Sequence, residues 1–187
     1  MLPGLVAAGA GLLFGVNAFC LDGSGAVWLA SLPHDPRLVA RAKAIVLAET
    51  VLAAAVVAAF AGSLRSPGAP TAAQVAAIAA SVIACTALVV AGALKMSTKH
   101  PHRADLRGPR DAVAPPGALA IASARLALPA AFTGIILGSA SQIGVWWWPP
   151  LLATPVFLLA VLSVIRSLRR YDDPFVRARI VQAVAAG

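Results

Sequence analysis

Two ionisable side chains stand inside long apolar stretches of this 187-residue chain: Glu49 and Arg125. A charge in hydrocarbon costs about 3 kcal/mol even on the mildest insertion scales, so such residues are candidates for ion paths, proton relays or buried pairs. Glu49 falls six residues past Lys43, about 9 Å further along a helix. There it could bind a substrate cation, pair with a neighbouring helix, or rest near the membrane boundary. Arg125 lies near the midplane if its helix starts close to Pro116. If residues 113–124 run along the interface instead, it is an anchor that snorkels to the headgroups. Facing one aqueous cavity, the two would suit a secondary transporter or an intramembrane enzyme.

The other chemistry-bearing residues have plainer readings. His100 and His102 form a Lys-His-Pro-His run in a basic loop, without further ligands nearby. Cys20 and Cys85 have no CxxC partner, which argues against a zinc site or a disulfide framework. Asp172 and Asp173 precede Pro174, an arrangement that suits a helix cap followed by the first helical residue. Neither a Walker A pattern nor HExxH nor GxSxG occurs. No catalytic, cofactor-binding or metal-ligating residue is assigned, and the chain reads as a non-enzyme.

Composition identifies the elements that must hold these residues. Hydrophobic residues make up 60% of the chain and charged residues 12%, with a mean hydropathy of +0.86. A soluble domain carries about a quarter charged residues, so this chain cannot cover itself for water. Five apolar runs, residues 2–20, 44–62, 72–94, 115–140 and 143–165, each approach or exceed the roughly 20 residues that cross hydrocarbon. The expectation is an all-α polytopic transmembrane helix bundle, one domain of about five spans. Two GxxxG matches, Gly11 to Gly15 and Gly134 to Gly138, have the spacing that lets backbones approach in lipid. In so Ala- and Gly-rich a chain such matches also arise by chance.

The net charge of +8 does not point to nucleic acid, because the basic residues fall in short blocks between apolar runs. Thirteen lie in segments 21–43, 95–114 and 166–187: Arg37, Arg41, Lys43, Lys95, Lys99, Arg103, Arg107, Arg110, Arg166, Arg169, Arg170, Arg177 and Arg179. The opposite loops hold only Arg65. The positive-inside rule then predicts a multi-pass protein of the cell membrane with its N-terminus outside and its C-terminus in the cytoplasm. Trp146, Trp147 and Trp148 fall at the predicted outer surface, where aromatic rings favour headgroup level. Ser66 to Pro70 forms a short outer turn of helix breakers. No basic residue precedes Arg37, so the start lacks the basic region of a signal peptide.

The first cytoplasmic segment carries the most information. After a Gly-rich break at Gly23 and Gly25, a short half-apolar helix is expected from Ala26 to Leu32, with Val27, Trp28, Leu29 and Leu32 apolar and Pro33 ending it. A short helix lying along the membrane surface can rest on lipid or receive a soluble partner. This segment resembles the loop after the second span of ATP-binding-cassette (ABC) exporter permeases. The matching positions are the acidic Asp22, the Leu29 to Pro33 element, and Val39 to Lys43 leading into the next span. Asn17, Phe19, Asp22 and Gly23, in an Asn-x-Phe-x-x-Asp-Gly pattern, resemble actinobacterial exporters in particular, as do the composition and the Arg169 to Arg179 tail. Ala42 and Cys20 replace glycines of the pattern. Such permeases have six spans per half and start in the cytoplasm, so this chain looks like a half without its first span.

The resemblance implies a permease subunit that exports its substrate when a separate ATPase subunit closes on ATP. Asp22, Gly23, Trp28, Leu29, Leu32 and Pro33 would form the coupling surface, alongside a second permease half or a second copy, within membrane lipid. The other readings are a membrane scaffold or accessory subunit, and a secondary transporter using Glu49 and Arg125.

Overall fold

The computed structural model describes residues 2–15, 18–19, 22–65, 68–102 and 116–185. Asn17, Cys20, Arg103, Arg107 and Arg110 lie outside them. All regular structure among the described residues is helical: α1 (Leu2–Phe14), α2 (Gly25–Ser31), α3 (Pro36–Leu64), α4 (Ala72–Lys99), α5 (Pro116–Ser141), α6 (Trp148–Asp172) and α7 (Pro174–Ala185). Helices α3 to α6 have 29, 28, 26 and 25 residues. At 1.5 Å per residue they reach about 37–44 Å, longer than the ~30 Å hydrocarbon core. Each contains a long window apolar enough to cross a membrane. The chain is a multi-pass membrane helix bundle.

The helix bounds depart from the apolar runs for local reasons. The first run, 2–20, gives only the 13-residue α1, about 20 Å long and too short to cross the core alone. Its Gly4 lies beside Cys85 and Ala130, part-way along α4 and α5. Helix α3 starts eight residues before the run at Ala44. Asp35 caps it by accepting the Arg37 N–H at 2.9 Å, and Pro36 supplies the first turn. Arg37 to Lys43 are therefore helix rather than loop. Helix α4 opens with a capping box, in which the Gln74 N–H donates to Thr71 Oγ1 and the Thr71 N–H to Gln74 Oε1. Residues 142–147 form a turn around Gly144, whose φ of +81° favours glycine, so α6 starts only at Trp148. The Asp173 carboxylate accepts the Phe175 N–H at 2.9 Å and caps α7.

Helix α4 is the hub, packed against α1, α3, α5 and α6. Its buried face is mostly small, including Ala73, Ala77, Ala84, Ala91 and Ala93. Lipid provides no hydrophobic drive between helices, so close approach of small residues and dispersion must hold them. Gly11 of α1 and Gly15 just past its end sit on this face: a Cβ at Gly11 would overlap Val89, and one at Gly15 would lie 2.8 Å from the Ala93 Cβ. Gly138 of the second GxxxG match faces open space. Much of α3 and α6 points outward, with Val56, Val57, Phe60, Leu158 and Leu159 exposed to the lipid level.

The two ends of the bundle differ in charge. Arg37 Nε pairs with Asp172 at 3.4 Å, Lys43 with Asp22 at 2.8 Å, and Arg179 donates to the Lys99 carbonyl at 2.8 Å. The start of α3, the end of α4 and the α6–α7 corner thus meet at one basic end. Trp146 to Trp148 lie at the other end of α6, with Trp147 and Trp148 stacked 4.9 Å apart. Overlap at the α1–α4 contact has a measurable consequence. Gly11→Leu is expected to lower the unfolding midpoint in detergent by about 5–10 °C, an overpacking penalty. Gly138→Ala should leave it within about 3 °C.

Candidate functional site

The basic end carries the best-built polar cluster among the described residues. Past α1, the Ala18 N–H donates to Ser97 Oγ at 3.0 Å, and that hydroxyl reaches the Gly15 and Ala93 carbonyls at 3.0 and 2.9 Å. Ser97 is fully buried on α4, so the end of α1, whose backbone groups lack helical partners, is stitched to the hub. Lys43, on the second turn of α3, reaches back over this segment. Its ammonium donates to Asp22 Oδ1 at 2.8 Å and to the Ala18 carbonyl at 3.1 Å, and lies 5.5 Å from the centre of the Phe19 ring. The pair is mostly shielded, with Lys43 and Asp22 side chains 20% and 25% exposed, where a charge-assisted bond is stronger than at an open surface.

Phe19 completes the joint. It is buried and stacks on Tyr171 with ring centres 4.8 Å apart and planes 8° from parallel. Tyr171 sits in the last turn of α6, next to Asp172, which pairs with Arg37. The ends of α1 and α6 and the starts of α2 and α3 therefore meet within one cluster.

This cluster carries α2. Gly23, at φ +49°, turns the chain out of Asp22 into the helix. Ala26 is buried and Leu29 partly buried, and both line a cavity of about 90 Å³ with Ile180 and Val184 of α7. Val27 and Trp28 point the other way, 55% and 67% exposed, and Leu32 and Pro33 are exposed beyond the helix end. Ser31 Oγ closes the short helix on the Trp28 carbonyl at 2.7 Å. The six expected coupling residues thus divide by role. Trp28 and Pro33 form an outward surface, joined by Val27, while Leu32, partly exposed past the helix end, also lines the cavity beside Leu29. Asp22 and Leu29 are turned toward the bundle, and Gly23 makes the turn between Asp22 and the helix. The sequence pattern did not reveal Tyr171 or Ser97, because both act across helices 79 or more residues away from their partners at Ala18 and Phe19, with no local signal.

The two intramembrane charges are not brought together. Glu49 projects from the exposed face of α3, with no ion-pair partner among the described residues. Arg125 lies on α5 and donates to Met96 Sδ at 3.4 Å. Met96 adjoins Lys95 near the charged end of α4. Although α5 starts at Pro116, Arg125 thus reaches the basic boundary rather than the midplane. Comparison with models of protein families, with curated proteins and with solved structures finds no match to the chain.

The site offers an exposed apolar patch on a short helix, tied to α3 through Lys43 and to α6 through the Phe19–Tyr171 stack. Lys43→Met should therefore free the segment selectively. Amide exchange across Ala18 to Ala26 is expected to rise about tenfold or more, while the middle of α4 is unchanged. Equal exchange in both proteins would contradict the assigned role of Lys43.

Proposed function

We propose that the chain is the membrane-spanning permease subunit of an ABC exporter, driven by a separate ATPase subunit. The observation that carries this reading is the split character of α2. One face and the preceding Asp22 are fastened to the bundle, while Val27 and Trp28 are left exposed. An exposed aromatic anchor with an apolar neighbour is the kind of patch a soluble protein docks on. A helix merely resting on lipid would not need a shielded ion pair to α3. The resemblance of Asp22 to Lys43 to the coupling segment of such permeases names the partner class.

In this account the basic end faces the cytoplasm, as the positive-inside rule favours for the cell membrane. The ATPase grips α2 through Trp28, Leu32 and Pro33. Its closure on ATP moves α2, and Lys43 and the Phe19–Tyr171 stack pass that motion to α3 and α6. The packed bundle then shifts between two arrangements that open to opposite sides, a bistable element biased by the partner. The chain breaks no bond itself. The lipid-facing carboxylate of Glu49 supports a further membrane partner, a second permease half or a second copy, because a carboxylate left in lipid is costly.

Co-purification tests the reading. The ATP-binding-cassette subunit of the same host is expected to be recovered with the parent chain in detergent. Trp28→Asp, at an exposed position, should cut that recovery about thirtyfold, the effect of losing an interface anchor of about 2 kcal/mol, without changing the unfolding midpoint. Full recovery with Trp28→Asp would remove α2 as the docking element. Failure of any such subunit to bind the parent would remove the exporter reading itself.

A further inference from the structure

A groove runs up the lipid-facing side of the bundle from the basic end. Its lower part, about 570 Å³, lies between α3 and α6 with α4 as its floor, and is lined by Ile45, Leu52, Ile83, Val90, Phe157 and Val161 among others. Its mouth is a second recess of about 530 Å³ that holds Arg37, Arg41, Arg169 and Asp172. Arg41, Ile165 and Leu168 line both parts, so the two form one continuous path from a charged mouth into an apolar slot.

Dimensions and charge select an occupant. Arg41 to Leu52 on α3 and Leu168 to Phe157 on α6 are each twelve residues, eleven steps or about 16 Å of helix. That matches the depth of one leaflet, half of the ~30 Å core. A slot of this length between two helices suits a single acyl chain lying along it. At the mouth, Arg37 is engaged by Asp172 at 3.4 Å. Arg41 and Arg169 are exposed and have no ion-pair partner among the described residues. Two unpaired guanidiniums over an apolar slot match a phosphate headgroup with its chain below, since guanidinium forks fit phosphate oxygens.

We infer that this groove is a binding site for an anionic phospholipid, its phosphate held by Arg41 and Arg169 and one acyl chain lying between α3 and α6. The inference rests on the membrane bundle and not on the export reading. Occupied, the site would bridge the same ends of α3 and α6 that Arg37 and Asp172 join directly.

Lipid retention tests it. The full chain in mild detergent would be titrated with dioleoylphosphatidylglycerol or dioleoylphosphatidylcholine, and bound lipid counted by native mass spectrometry. The anionic lipid is expected to bind at one site at least tenfold more tightly than the zwitterionic one. Removing both charges with Arg41→Gln and Arg169→Gln should weaken it about thirtyfold, whereas Arg41→Lys with Arg169→Lys should weaken it far less. Ala87→Phe, which fills the slot from α4 without touching the arginines, should also weaken binding. Equal binding of the two lipids by the parent chain would overturn the site without recourse to any variant. Displacement of the lipid by millimolar inorganic phosphate would overturn the acyl slot. Loss of a dimer in Ala87→Phe would show that the groove seats a second copy instead.

Discussion

One ammonium group organises the basic end of this protein. Lys43 bonds Asp22 and the Ala18 carbonyl and covers Phe19, so these three residues are held to a 29-residue helix. Without it, the described residues between α1 and α2 would still be tied to the bundle by the Ser97 bond and the Phe19–Tyr171 stack. The ion pair is neither deeply buried nor fully wet. That intermediate position lets it gain from reduced screening without the full desolvation penalty of a buried charge. Its position on the second turn of α3 also depends on the cap at Asp35, which starts that helix before the apolar run does.

The rest of the bundle follows a different rule. Between the spans there is no hydrophobic gain to drive association, so the contacts are made by alanine and glycine on α4 and α1. These allow backbones to approach closely around a few larger buried residues, among them Val51, Val89, Leu94, Leu126 and Leu137. The result is a thin-walled assembly in which α3 and α6 present most of their apolar surface to lipid. Such a bundle has room for grooves between helices, and its charged ends carry the specific contacts. Rigidity at the basic end and smooth small-residue packing within the membrane suit a machine in which a local push must be passed along whole helices. Glu49 stands out because nothing in the described chain answers it.

Much of this architecture was legible in the sequence. The apolar runs located the four long helices, and the segregation of Lys and Arg foretold that α3, α4 and α6 would bring their charged ends together. Asp173 before Pro174 signalled the cap of α7, and the glycine break at Gly23 signalled α2. What could not be read were helix ends and cross-helix partners. Hydropathy marks where a helix is apolar, not where its hydrogen bonds stop, so α3 begins earlier than its apolar run and α1 ends sooner. Leu29 looked like a docking residue because it is apolar on a short helix. Only the packing of α7 reveals that this face is already covered. Arg125 was ambiguous for a related reason. Its depth depends on how α5 is staggered against α4, and the Met96 contact fixes that stagger.

If an ATPase grips α2, Trp28 must face the compartment that holds ATP. A single cysteine placed there, Trp28→Cys, in a chain carrying Cys20→Ser and Cys85→Ala, reports which side it faces, with Gly68→Cys as the control at the opposite end. Cells would be treated with a membrane-impermeant maleimide before and after permeabilisation. The account predicts that position 68 labels in intact cells and that position 28 labels only once the membrane is opened. Labelling of position 28 in intact cells would put α2 on the outside, where no ATPase could grip it, and would contradict the account.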